Sequence, residues 1–359
     1  MTVEKEMKKI ILICLLVLSG MHYGWADGIS IATFTIGAGE TKDVDIVLED
    51  EANAYVLAQF NLYLPEGVEL VYNDESSSYA YTSTHTGSAY IGVSQKTDKN
   101  GKSYYQFYLE DRMMNPLGAG TIFTVTLKAT DMIATGEQTA YIRNIVLVDD
   151  MGGGPDIAEL TCDVTCEIAV NVTALGYASF SWPRTLDFTD SGAQAFIVTE
   201  KGNGRVRMEE VTTVPAGTGV ILKATEGVYH PQTTEDEGDD VSSNLLTGTA
   251  TASYTVDADN VFVLSNLNDG QAGFYIADSG VTIAQYKAYL RLDDADDAKA
   301  EGLAFDFTPT GIDSFKCTVQ GSEVYNLNGQ RMESSKFKVQ SSKLPKGVYI
   351  VNGRKVIVR

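Results

Sequence analysis

A chain of 359 residues is too long for one ordinary domain and suits two or three, and 44% hydrophobic against 21% charged residues excludes a disordered polymer. With 48 Asp/Glu against 27 Lys/Arg the formal net charge is −21, which repels phosphate backbones and excludes nucleic acid as a natural partner. The charge is uneven: residues 27–310 carry fifteen basic and forty-three acidic side chains, whereas residues 311–359 carry nine basic and three acidic ones.

At the N-terminus Lys8 and Lys9 precede the apolar run IILICLLVLSG, and Gly24 and Ala26 place small residues just before a cleavage point after Ala26. Eleven residues are too few to span a hydrocarbon layer of about 30 Å as a helix. Residues 1–26 therefore read as a signal peptide, with Met7 as an alternative start. The mature protein is expected to be exported and to have no transmembrane span. Cys14 lies inside the apolar run and not at its end, which argues against a lipid-anchored terminus.

Residues 27–168 alternate with a period of two almost throughout. Val44, Ile46 and Leu48 alternate in DVDIVL; Val56, Ala58, Phe60, Leu62 and Leu64 in VLAQFNLYL; Tyr105, Phe107 and Leu109 in SYYQFYL; and Phe123, Val125, Leu127 and Ala129 in TIFTVTLKA. Such runs are strands that cover a core on one face. The turn signals GAGE, PEG, DKNGK, NPLGAG and DMGGGPD separate them, which predicts an all-β sandwich. The same alternation in TCDVTCEIAV sets Cys162 and Cys166 on one face at about 13 Å, beyond disulfide reach. Both read as small buried hydrophobes. Only His85 and His230 would remain as nitrogen ligands after cleavage and no zinc spacing occurs, so no metal or other cofactor is expected.

The order IATFTIGAGETKDVDIVL, AQFNLYLPEGVELVY, YYQFYLEDR, GAGTIFTVTLKAT and IRNIVLVDDMGGG resembles cohesin-type jelly rolls, a superfamily that also holds carbohydrate-binding modules. On these strands Tyr55, Leu57, Gln59, Asn61 and Tyr63, and Tyr104, Gln106 and Tyr108, are read as facing away from the core. Tyr rings beside amides suit sugar rings and protein interfaces alike. In cohesin-type folds the two strands share a sheet that serves for partner binding, and this is what the resemblance implies for Gln59, Asn61, Tyr63, Tyr104, Gln106 and Tyr108.

Residues 169–308 form a second β-rich module, with GYASFSWPRTLDF, MEEVTTVPAGTGVILK, NVFVLSN and GFYIADSGVTIAQYKAYLRL, similar to a module that precedes the tail of secreted proteins from Gram-negative anaerobes. PAGTGVILK lacks the ending and the following helix of a phosphate loop. TEDEGDD and LDDADDAKAEG lack calcium-loop spacing and read as solvated loops. Trp182 before Pro183 reads as a packing residue.

The tail, residues 309–359, holds two Asn-Gly hairpin signals, at Asn328-Gly329 and Asn352-Gly353. EVYNLNGQ and KGVYIVNGRKVIVR resemble the C-terminal sorting domains of type IX secretion, with Val324, Tyr325, Asn326, Gly329 and Gln330, then Gly347, Tyr349, Lys355, Val356, Val358 and Arg359 at the matching positions. The resemblance implies recognition by a secretion or sorting machine. The alternative is a hairpin that completes a sheet of the preceding module.

No nucleophile elbow accompanies either histidine, and two β modules with a tail leave no room for a catalytic barrel. The sequence thus points to an exported, non-catalytic binding protein, outside a Gram-negative cell or on its outer surface, that takes a polysaccharide or a cell-surface protein. Two alternatives stay open: a structural or adhesive surface component, and an enzyme acting on carbohydrate.

Overall fold

The computed structural model describes residues 28–50, 54–85, 89–202, 204–266, 271–292 and 302–307, and beyond these the strand backbone at 324–326, 331–332, 347–351 and 354–358. The segment read as a signal peptide, Cys317 and both Asn-Gly turns lie outside the described residues. Every regular element described is a strand. The chain divides into two compact units, Met1–Glu167 and Ile168–Arg359.

The N-terminal unit is a two-sheet jelly-roll sandwich. Its strands are β1 (Gly28–Ile31), β2 (Phe34–Gly37), β3 (Thr41–Glu49), β4 (Tyr55–Tyr63), β5 (Val68–Leu70), β6 (Tyr72–Asn73), β7 (Ser78–Tyr79), β8 (Tyr81–Ser83), β9 (Ala89–Thr97), β10 (Ser103–Asp111), β11 (Gly120–Ala129), β12 (Gly136–Asp149) and β13 (Leu160–Glu167). One sheet runs β1-β3-β11-β5, with β8 also on β11; the other runs β2-β13-β12-β4-β10-β9. The pairs are antiparallel except β2 with β13, which ties the opening of the unit to its last strand in parallel register.

Period-two alternation builds the core between the sheets. Phe60 on β4 and Phe107 on β10 are directly paired and stack at 4.9 Å; Phe123 on β11 of the opposite sheet meets both rings edge-on, at 6.4 and 5.1 Å. All three are fully buried. The DKNGK hairpin between β9 and β10 is organised by Asp98, whose carboxylate accepts from the Asn100 and Lys102 N–H groups, and by Gly101, whose φ of 83° is open to glycine at no steric cost.

Cys162 and Cys166 are buried, unbridged and on the core side of β13. Burial pushes both thiols up to about 11, and Asp163 adds to the shift at Cys162. Two consequences follow. Iodoacetamide at pH 8 is expected to spare both cysteines in the native chain and to label both in urea, as read by peptide mass spectrometry. The unfolded chain releases these protons near the reference value of 9.0 and the folded chain only near 11, so their contribution to stability is intact below pH 9 and falls as pH rises through that window.

The second unit is built on a nine-stranded sheet whose longest members are Gln194–Gly202 and Arg205–Val211. Phe196, Val198, Val206, Met208, Phe262, Phe274 and Leu290 are among its core. Trp182 is buried between Phe180 (5.9 Å, near-parallel) and Tyr286 (4.5 Å), a packing role. In PAGTGVILK, Gly217 donates its N–H to the Trp182 carbonyl and the chain runs on into the strand Val220–Lys223, not a helix. The acidic TEDEGDD loop uses Asp239 to accept from the Thr212 and Thr213 N–H groups; those bonds, Thr213 first, hold its carboxyl below the usual range.

The tail strands Val324–Asn326, Arg331–Met332, Gly347–Val351 and Arg354–Val358 form a four-stranded antiparallel sheet of their own. The two hairpins are joined along Val324–Asn326 and Tyr349–Val351.

Candidate functional site

The outer face of β12-β4-β10-β9 is a grid of side chains fixed by register. One row across the sheet is Tyr141, Tyr63, Tyr104 and Lys96. The next is Arg143, Asn61, Gln106 and Ser94; the third is Val146, Gln59, Tyr108 and Gly92; the fourth is Val148, Leu57, Glu110 and Tyr90. All six residues singled out in the sequence therefore share one surface, but they are not equally presented.

Tyr63 is only 4% exposed and Asn61 only 5%, which corrects the expectation that the whole β4 row is open to solvent. Alternation puts both on the outer side of the sheet, yet β4 is a central strand and its neighbours lean over it. Tyr104 stacks on the Tyr63 ring at 5.0 Å, the Arg143 guanidinium lies 5.0 Å from that ring and 4.7 Å from Tyr141, and the Lys102 ammonium lies 5.8 and 5.7 Å from the same two rings. Burial, then the Asp98 and Tyr104 charges, raise the Tyr63 phenol against the opposing pull of Arg143. Tyr63 is thus a buried post, and Tyr104, Gln106, Tyr108 and Gln59 are the half-buried groups that a ligand would touch.

Tyr108 donates to the Glu110 carboxylate at 2.6 Å and meets Tyr90 edge-on at 5.5 Å, while Arg112 covers Tyr90 at 5.2 Å. The Glu110 bond and then burial push the Tyr108 phenol up to about 12, so it stays protonated at physiological pH. Beside Tyr108, Gly92 has open space where a side chain would stand, and this lowers the β9 side of the face.

Asn61 Oδ1 sits near the middle of the grid, buried and without a hydrogen-bond partner. A buried acceptor left unpaired costs about 1–3 kcal/mol.

Tyr90, Lys96, Lys102, Tyr141 and Arg143 were not singled out in the sequence. YIRN does alternate with Ala140 and Ile142, so the direction of Tyr141 and Arg143 was readable. Their meeting with Tyr63 was not, because it depends on long-range register. A bulge at Asn144 (φ 52°) follows Arg143 and returns Val146 to the outer face opposite Gln59.

Elsewhere, His85 is held through Nε2 to the Leu117 carbonyl at 2.6 Å, beside Thr84. Among the described residues no group of three or more His, Cys, Asp and Glu is placed to hold a metal ion. Among the described residues no helix is long and apolar enough to cross a membrane. In the tail, Tyr325 pairs with Arg331 and Ile350, Asn326 with Tyr349, Gly347 with Val358 and Lys355 with Ile350, whereas Gly329 and Arg359 lie outside the described residues.

No family model matches the chain, and no curated protein matches it. Among solved structures it is similar to a non-cellulosomal cohesin from Archaeoglobus fulgidus (13% identity, 38% of this chain and 90% of that one, TM-score 0.28). It is also similar to a cohesin module of a Clostridium perfringens family 33 glycoside hydrolase (14%, 40% and 97%, TM-score 0.30). A third is the sixth cohesin of Acetivibrio cellulolyticus scaffoldin B, solved in complex with a dockerin (15%, 40% and 99%, TM-score 0.29). At scores this low the assignment of the sandwich rests on its own strand order.

Proposed function

We propose that the chain is an exported, non-catalytic binding protein whose N-terminal unit docks a protein partner on the outer face of β12-β4-β10-β9. The observation that carries this reading is the broad aromatic and amide surface on which Gln59, Tyr104, Gln106 and Tyr108 stand half-buried side by side on two paired strands. Such a surface, with Tyr and Arg prominent, has the composition of an interface core. The Tyr63 ring is already covered by Tyr104 and Arg143 and offers no free platform for a sugar ring. That favours a protein over a polysaccharide.

Pull-down from a cell-surface fraction with the full chain and with a Tyr104→Ala/Tyr108→Ala variant is the test. A protein retained by the parent and lost by the variant supports the reading. Retardation in a polysaccharide gel that the variant loses would assign the face to a glycan instead, and no difference in either assay would remove the face as a binding site. Export is checked separately: N-terminal sequencing of the protein recovered outside the cell should begin at Asp27. The tail is proposed as the sorting element, so deleting residues 309–359 should trap the protein inside the envelope.

A further inference from the structure

The face is polarised in charge and in apolar exposure. From residue 28 to 167 the chain carries seven Lys/Arg against twenty-one Asp/Glu. Five of those seven, Lys96, Lys99, Lys102, Arg112 and Arg143, lie on β9, on β12 or in the turns flanking β10, and Lys96, Lys102 and Arg143 crowd the Tyr63 end. The nearby Asp98 carboxylate accepts two N–H groups within its own hairpin, although its charge still acts on Tyr63. A basic, aromatic spot thus lies on a domain that is otherwise strongly acidic.

The opposite end of the same strands exposes apolar side chains beside Glu110 and Arg112. Val146 is 43% exposed, Tyr90 51% and Met113 75%, and Met151 follows β12 at that end. Six residues of β10 separate the two ends, a span of about 20 Å. Asn61, with its unpaired acceptor, lies between them.

One carboxylate already shows how the basic end is used. Glu159, ahead of β13, is ion-paired with Arg143, and both side chains remain over a third exposed. Arg143 therefore accepts a carboxylate while its flat face rests on Tyr63 and Tyr141. Glu159 fills the position that an incoming acidic group would take.

Building on the binding reading above, we infer that this face recognises a protein segment bearing carboxylates that dock over Arg143 and Lys102 and apolar side chains that pack beside Tyr90 and Val146. Glu159 acts as an internal competitor for Arg143. Exposed methionine is suited to the apolar end, since its unbranched side chain repacks around different partners. The charge match sets orientation along the sheet, and the apolar end supplies buried area.

The test is to pan a phage-displayed library of random 16-residue peptides on the full chain, with counter-selection on a Tyr104→Ala/Gln106→Ala chain to isolate face-dependent clones. Those clones should carry at least about twice the Asp/Glu content of the input library. The best clone should bind about fivefold more weakly to Arg143→Ala/Lys102→Ala, and about twofold more tightly to Glu159→Gln, as expected for charge pairs in partly exposed positions. Each variant is first shown by urea unfolding to be fully folded at the panning temperature. Face-dependent clones with no acidic excess, or indifferent to the loss of Arg143 and Lys102, would overturn the acidic partner and leave the binding face standing. No face-dependent clone at all would overturn both.

Discussion

Phe107→Ala is expected to destabilise the N-terminal unit by about 3–5 kcal/mol, a large part of the 5–15 kcal/mol that holds an ordinary domain together. The size follows from position. Phe107 has no solvent exposure, stacks within 7° of parallel on Phe60 and meets Phe123 of the facing sheet edge-on at 5.1 Å. These rings are the joint between the two sheets, so truncation leaves a cavity bounded by both layers that neither can close alone. Aromatic pairing adds about 0.5–1.5 kcal/mol per pair beyond area, and Phe107 takes part in two. Urea unfolding of the full chain, followed by far-UV circular dichroism, measures it. A loss below about 1 kcal/mol would mean that the sheets are held elsewhere.

The period-two runs located β3, β4, β10 and β11 and sorted their residues by side, because alternation is a local property of the pleat. The DKNGK turn was legible for the same reason. What the sequence does not show is how far a neighbour's side chain leans across a strand. Asn61 and Tyr63 are on the outer side as expected, yet are covered, because Arg143 from β12 and Tyr104 from β10 meet over them. That meeting needs the register of three strands drawn from residues 55 to 149. The second unit shows the same limit: Arg205–Val211 pairs in parallel with Leu303–Asp306, nearly a hundred residues later, and no local pattern announces it. In the tail, each Asn-Gly signal marks a local hairpin, but the pairing of Val324–Asn326 with Tyr349–Val351 that joins them is again long-range.

Tyr63→Ala and Tyr104→Ala are expected to separate the post from the contact. Tyr63 is almost wholly buried and holds a ring on one side and two cations nearby, so its loss should cost about 2–3 kcal/mol of stability: the truncated ring, its stacking partner and the cation contacts that it shares with Tyr141. It should also weaken partner binding by releasing Arg143 and Lys102 from their set positions. Tyr104 is half-buried and rests on Tyr63 from outside, and its removal should cost about 1 kcal/mol or less while weakening binding at least as much. Urea midpoints set beside dissociation constants for the selected peptide give both quantities on the same proteins. If Tyr104→Ala were as destabilising as Tyr63→Ala, the aromatic pair would be a structural unit with no ring left to offer. If neither affected binding, Gln59 and Gln106 would have to carry recognition without the aromatic row beside them.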